Sequence, residues 1–263
     1  MEKILVITPT LGNRETLQKT VESVKNIGGK NVKHIIVCPK NIIEDIRTQY
    51  GVDCIPEPEG KRGIYPPLNH AFNTCGNKYE YLTFINDDDY WLPDYAKLID
   101  YVINHNDIDF VYSRVAYINA LGVKIGTQTS SSRLHDMQKL HQRGIVLLTQ
   151  QSTLVKSDLF FKIGGFDESY KLGADTKFYL TLSQLDIKFK YFDCETAAYM
   201  IQSGQLSSNI NLQREEHLRL LDEFAIEGSS LFPMLRFRLA NLPIYLRRLL
   251  VGGVKNPFNY QNN

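Results

Sequence analysis

The sequence contains no CxxC pair, and its six histidines form no HExxH or other paired-ligand pattern, so a zinc site lacks its usual spacing. GxGxxG and Walker A loops are both missing, which removes the fingerprints of Rossmann dinucleotide and P-loop binding. No apolar run reaches the ~20 residues of a membrane span. The first run, Ile4-Leu5-Val6-Ile7, is too short for the apolar core of a signal peptide. Charge of one sign is also lacking: 30 Lys and Arg against 29 Asp and Glu leave +1, without the basic excess of a nucleic-acid binder. The four cysteines, Cys38, Cys54, Cys75 and Cys194, are expected to be free and mostly buried thiols of a cytosolic chain. No internal repeat or low-complexity tract is visible.

What is there has an ordinary globular composition, 43% hydrophobic and 22% charged over 263 residues, enough for one α/β domain with a short appendage. Lys3–Thr8 is a continuous apolar run, the mark of a strand buried on both faces. Glu15–Lys25 carries Leu17, Val21 and Val24 at helical spacing. Val32–Cys38 reads as a strand, Asn41–Tyr50 as a helix and Val52–Ile55 as a strand. This alternation predicts a parallel sheet flanked by helices. Further on, the pattern predicts a helix over Leu68–Cys75, a strand over Tyr79–Asn86 and a helix over Leu92–Asn104. It continues with a strand over Phe110–Asn119, a mobile Ser/Thr-rich segment over Gly126–Arg133 and a strand-like run over Gly144–Val155. Helices over Asp158–Ile163 and Asp175–Leu185 and a strand over Phe189–Phe192 follow. Past Glu227 there is no acid. Leu235, Leu239, Leu242, Leu246 and Leu249 form a helical stripe interrupted at Pro243, accompanied by Arg236, Arg238, Arg247, Arg248 and Lys255. Such a tail suits an anionic membrane surface, the chain's own domain or a partner.

Two places carry chemistry. Asn86-Asp87-Asp88-Asp89 follows a buried strand, and ligands of open α/β sheets bind at the carboxyl ends of strands. Adjacent carboxylates repel, and a divalent cation with hard oxygen ligands relieves that repulsion. The competing reading is a turn of solvated acids in which Asp89 caps the next helix. Asp175, opening a helix after Gly173-Ala174, is either a catalytic base or a cap. Tyr65, Tyr90 and Trp91 either stack on a ligand or pack the loops.

The order of these motifs resembles the family 2 glycosyltransferases of bacterial polysaccharide synthesis. The matching stretches are Ile7-Thr8-Pro9-Thr10-Leu11-Gly12-Asn13-Arg14, then Gly63-Ile64-Tyr65-Pro66-Pro67-Leu68-Asn69, then Phe84-Ile85-Asn86-Asp87-Asp88 with Pro93-Asp94. Gly164-Gly165-Phe166-Asp167-Glu168 with Ala174-Asp175 comes next, followed by Ser203-Gly204-Gln205-Leu206-Ser207. Together they cover about residues 3 to 210. The resemblance implies an α/β fold of the GT-A nucleotide-diphospho-sugar transferase type, a mostly parallel central sheet flanked by helices with a C-terminal helical appendage. Residues 1–210 would form the catalytic domain. Its first part, to about residue 105, would bind the nucleotide sugar, and 106–210 would bind the acceptor. Residues 211–263 would be a basic amphipathic helical extension.

By the same resemblance, Thr8, Pro9, Thr10, Arg14, Arg62, Asn69 and Asp87 would bind the donor, with Asp87 on the ribose. Asp88 would ligate Mn2+ or Mg2+, and Asp175 would be the general base of an inverting transfer. The donor would be a nucleotide sugar, a UDP-sugar being favoured. The acceptor would be a glycan or lipid-linked molecule, on the inner face of the plasma membrane. Three departures stand out. Val37-Cys38-Pro39-Lys40 has no acid where the family reads the base. Arg62 stands where an acid often precedes Gly-Ile-Tyr. Asn86 replaces the first acid of the Asp-x-Asp form. Nucleotidyl transfer and a non-catalytic nucleotide-sugar-binding module are the other readings. Pro9–Arg14 is a poor match to the Gly-rich loop of the former, and Asp88 with Asp175 argue against the latter.

Overall fold

The computed structural model describes residues 2–202, 205–225 and 230–251; Ser203, Gly204 and Lys255, named above, lie outside the described residues. The chain begins with β1 (Ile4–Pro9), α1 (Leu17–Gly28), β2 (Val32–Cys38), α2 (Ile43–Tyr50), β3 (Asp53–Pro56), α3 (Tyr65–Cys75) and β4 (Tyr81–Phe84). β1 pairs in parallel with β2 on one side and β4 on the other, and β3 adds to β2. Side chains of a strand alternate between faces. Accordingly Leu5 and Ile7 enter one buried cluster with Leu68 and Phe72 of α3, while Ile4 and Val6 enter another with Val24 of α1. Burial on both faces explains why β1 reads as an unbroken apolar run.

The chain moves from β1 through β2 to β3 and then crosses to the far side of β1 as β4. That reversal opens a crevice at the carboxyl ends of β1 and β4. The loops Pro9–Arg14 and Asn86–Asp89 emerge there.

The later part is mixed rather than parallel. It contains β5 (Tyr90–Trp91), α4 (Tyr95–Asn104), β6 (Phe110–Asn119), β7 (Lys124–Thr127), α5 (Met137–His141), β8 (Thr153–Lys156), α6 (Ser157–Ile163), α7 (Ala174–Leu182) and β9 (Phe189–Ile201). β8 lies antiparallel to both β4 and β6, whereas β9 runs parallel to β6 and antiparallel to β5. The strand predicted over Phe189–Phe192 extends to Ile201, with register shifts around Arg114. The strand-like Gly144–Val155 run is a strand only at its end, from Thr153. Its Leu147 and Leu148 are buried from a loop instead.

The Gly126–Arg133 segment, expected to be mobile, is held. Gln128 and Ser130 are buried, and Asn241 both accepts from Ser130 N (3.1 Å) and donates to Ser130 O (2.9 Å). Gly164 and Gly165 turn the chain after α6 with φ of 96° and 75°, a region that favours glycine. At Gly165 a side chain would also meet Asn69 Oδ1 at 2.9 Å.

Three helices follow: α8 (Ile210–Glu223), α9 (Leu231–Ala240) and α10 (Leu242–Val251). Leu220 of α8 and Phe237 of α9 join the same buried cluster as Leu5 and Phe72. The leucine stripe breaks at Asn241 between α9 and α10. Pro243 sits in the first turn of α10, where its missing N–H costs nothing.

Candidate active site

A cleft of about 1470 Å³ opens over the carboxyl ends of β1 and β4. Pro9, Thr10, Arg14, Asn86, Asp87 and Asp88 line one side, and Asp175 with residues of α8 lines the other. Both chemical motifs therefore face one space, although 87 residues separate Asp88 from Asp175 (175 − 88).

On the β1–β4 side Asp87 and Asp88 share one cation, Arg14. Asp87 accepts from Thr10 Oγ1 at 2.6 Å and lies 3.3 Å from Arg14 Nε. Asp88 accepts from Arg14 at 2.7 Å and from the side chain of Gln205 at 3.0 Å. Burial pushes the Asp87 carboxyl up from its usual range, while Thr10 and Arg14 act in the opposite direction. Asp89 is neither solvated nor a helix cap: it is fully buried. It accepts from Gln151 Nε2 at 2.7 Å and from Met200 N at 2.9 Å, tying β9 to the crevice. Burial, reinforced by Asp88, holds its carboxyl well above the ordinary value.

Two expected binding residues do not line the cleft. Thr8 is buried within β1, its hydroxyl 2.8 Å from His34 Nε2 on the adjacent strand β2. Asn69 donates to Phe166 O at 2.8 Å and accepts from Phe166 N at 3.0 Å, joining α3 to the Gly164–Gly165 turn. Arg62 does line the cleft, whereas neighbouring Lys61 is paired with Glu168 at 2.6 Å. Trp91 stacks on Tyr95 with ring centroids 3.8 Å apart, and Tyr90 lies under the Lys19 ammonium at 3.7 Å. Both are packed aromatics.

Asp175 is held differently. Its Oδ1 accepts from Thr176 N at 2.7 Å and from Tyr65 Oη at 3.2 Å, and no cation pairs with it among the described residues. Burial raises its pKa to about 6 against the lowering effect of those donors. A carboxylate of that basicity, facing a cleft, can take up a proton near neutral pH.

The model of glycosyl transferase family 2 matches residues 5–163. The chain belongs to glycosyl transferase family 2. The fold also resembles residues 1–349 of S. aureus TarS in complex with UDP-GlcNAc. That likeness has TM-score 0.59 and 16% identity over 83% of this chain and 64% of that one. A second resemblance is to the mannosyltransferase PcManGT from Pyrobaculum calidifontis in complex with GDP-Man and Mn2+. Here the TM-score is 0.59 and the identity 12%, over 90% of this chain and 68% of that one. Identities this low speak for the fold alone. The chain spans between 43 and 64% of the TarS structures. No curated protein matches it.

Within this family 2 chain, sequence reasoning overlooked three residues at the cleft. Glu57 lines it immediately after β3, and its backbone N–H reaches Cys38 O at 2.9 Å. An acid thus stands at the cleft beside the end of β2, carried by the neighbouring strand. Parallel pairing of Cys38 with Pro56 was the only signal, and it is invisible locally. Tyr65 was read as an aromatic, yet its hydroxyl donates to Leu172 O and Asp175. Glu216 of α8 lies beyond every family motif, and nothing in its own helix marks it.

Among the described residues no group of three or more His, Cys, Asp or Glu side chains could hold a metal ion. Asp88 offers a hard carboxylate, and Asn86 Oδ1 on the same wall is buried with no partner. Both are hard oxygen donors of the kind Mg2+ or Mn2+ takes, but Asp88 Oδ2 is bonded to Arg14 and Gln205, so a cation there would compete with them.

Proposed function

We propose that the chain is an inverting glycosyltransferase that moves a sugar from a nucleotide-sugar donor to a hydroxyl of a glycan or lipid-linked acceptor. The supporting observation is that one cleft brings together an acidic wall, Asp87 and Asp88 sharing Arg14, and a carboxylate at Asp175 with no cation beside it among the described residues. In this reading Pro9, Thr10 and Arg14 hold the nucleotide, Asp87 the ribose, and Arg62 the diphosphate. Thr8 lies in the strand behind that wall, and Asn69 holds the turn at Phe166. Asp88 holds Mn2+ or Mg2+, which when bound supplies positive charge for the leaving diphosphate. Asp175 accepts the proton of the acceptor hydroxyl as its oxygen attacks the anomeric carbon and the bond to the diphosphate breaks. Tyr65 keeps the accepting oxygen aimed.

The two structural relatives carry UDP-GlcNAc and GDP-Man, which supports a nucleotide-sugar donor without choosing its base. The α9–α10 leucines Leu235, Leu239, Leu242, Leu246 and Leu249 are 47 to 74% exposed, and no described helix is long and apolar enough to cross a membrane. With Arg238 and Arg247 beside them, these leucines suit the anionic inner surface of the plasma membrane, where a lipid-linked acceptor of polysaccharide assembly would lie. Calorimetric titration with UDP, GDP and dTDP, each with and without Mn2+, tests the donor site. Metal-dependent binding of one nucleotide, lost in Asp88→Ala, is the expected result. Binding of none, with or without metal, rejects it.

A further inference from the structure

Helix α8 lies across the acceptor side of the cleft, and Gln213, Glu216, His217 and Leu220 on one face of it line the wall. Their spacing of three, one and three residues is that of a single helical face. Glu216 is the buried charged member. Its Oε1 accepts from Lys171 N at 2.6 Å, and its Oε2 accepts from Leu172 N at 2.9 Å and Gly173 N at 2.7 Å. Three successive backbone N–H groups thus converge on one carboxylate, the arrangement of an anion nest. The nest immediately precedes α7, whose second residue is Asp175. From the other side Tyr65 Oη donates to Leu172 O at 2.5 Å and also reaches Asp175.

The fit is close. A side chain built at Gly173 would stand 3.3 Å from Glu216 Oε2 and 3.5 Å from Leu220. A second contact keeps α8 in place: Glu223 accepts from Tyr170 Oη at 2.8 Å and pairs with Lys177 of α7 at 2.5 Å.

We propose that Glu216 is a positioning residue for Asp175, its carboxylate fixing the Lys171–Gly173 turn and thereby the start of the helix that presents the base. This rests on the reading of Asp175 as the base. A carboxylate satisfies all three donors because it only accepts. An amide of the same shape presents one oxygen and an NH2 that faces an N–H, so Glu216→Gln releases part of the turn. Glu216→Asp retains the charge and shortens the reach, and Gly173→Ala presses on the carboxylate without removing it.

Two measurements on the full chain decide it. Hydrogen exchange reads the turn without any turnover: the Lys171–Gly173 amides should exchange at least tenfold faster in Glu216→Gln, with β1 and β4 protected as in the wild type. Mn2+-dependent hydrolysis of UDP-GlcNAc and GDP-mannose reads the base. Glu216→Gln should lower kcat by about 10- to 100-fold, as for small misplacements of a reacting group, with KM for the donor unchanged. Glu216→Asp should recover part of the loss, and Gly173→Ala should reproduce a smaller one. Unchanged exchange at Lys171–Gly173 overturns the proposal. So does wild-type kcat in Glu216→Gln when Asp175→Asn is inactive, which leaves the base in place. Full turnover in Asp175→Asn removes the base reading itself, and the positioning role with it.

Discussion

The two walls of the cleft hold their carboxylates in opposite ways. On the β1–β4 wall Asp87 and Asp88 share Arg14 and accept from Thr10 and Gln205. On the α7 wall Asp175 has only neutral donors, Thr176 N and Tyr65 Oη. A guanidinium beside a carboxylate favours its charged form, which at Asp87 works against the upward push of burial. Asp175 is desolvated with no cation beside it among the described residues, and its pKa is raised to about 6. All three residues are aspartates at element ends, so sequence position alone does not reveal this contrast.

The largest expected effect tests the α7 wall. Asp175→Asn should lower turnover by ~10²–10⁴-fold, the usual contribution of a general base, with nucleotide affinity unchanged by calorimetry. In the wild type, kcat/KM should fall as pH drops below about 6, where Asp175 becomes protonated. Next, Asp88→Ala should lower Mn2+-dependent nucleotide affinity by at least ~100-fold, since even a metal's outer-shell partners are worth about 10–100-fold. Wild-type affinity in that variant would erase the distinction between the walls. Tyr65→Phe should cost roughly tenfold in kcat, one hydrogen bond's worth. Because the tyrosine donor lowers the Asp175 pKa, its loss should move the acid limb of the pH profile upward. A downward movement would contradict the assigned contact.

The smallest effect is on stability. The folded-state pKa of Asp175 lies above its unfolded value, so the folded chain binds more protons between ~4 and about 6. Its contribution to stability therefore declines as pH rises through that window. Asp175→Asn should raise Tm at pH 8 by a few degrees, about 2–4 °C per kcal/mol. The gain should vanish at pH ~4. An equal gain at both pH values would mean that the buried charge is not its source.

The two walls also differ in how far the sequence revealed them. The β1–β4 wall rests on strands whose apolar runs are local, so its alternation, its crevice and Asp87 and Asp88 were legible. Even there, the burial of Thr8 against His34 was not visible, because His34 lies on the neighbouring strand 26 residues away. The alternative of a solvated turn with Asp89 as a helix cap stayed open because its donors, Gln151 and Met200, are 62 and 111 residues away. The second wall depends on pairing across distance. β9 was cut short at Phe192 because register shifts against β6 interrupt its pattern, and β5 is two residues long. Ser130 looked like part of a mobile loop because Asn241, which holds it, belongs to a helix end 111 residues on. Asp175 could be named from its motif. Its basicity, set by burial and by Tyr65, could not.

Arg114, buried in β6, bonds to Asp193 on β9 at 2.5 Å and to Asn241 at 2.7 Å. Asn241 is the joint between α9 and α10, so the leucine-bearing helices are riveted to the middle of the sheet. Arg236 adds a second fastening to Asp136 at 2.7 Å. A tail anchored in this way is an outrigger, not a leash. Whatever grips the leucines fixes the tilt of the sheet, and with it the direction in which the mouth of the cleft opens.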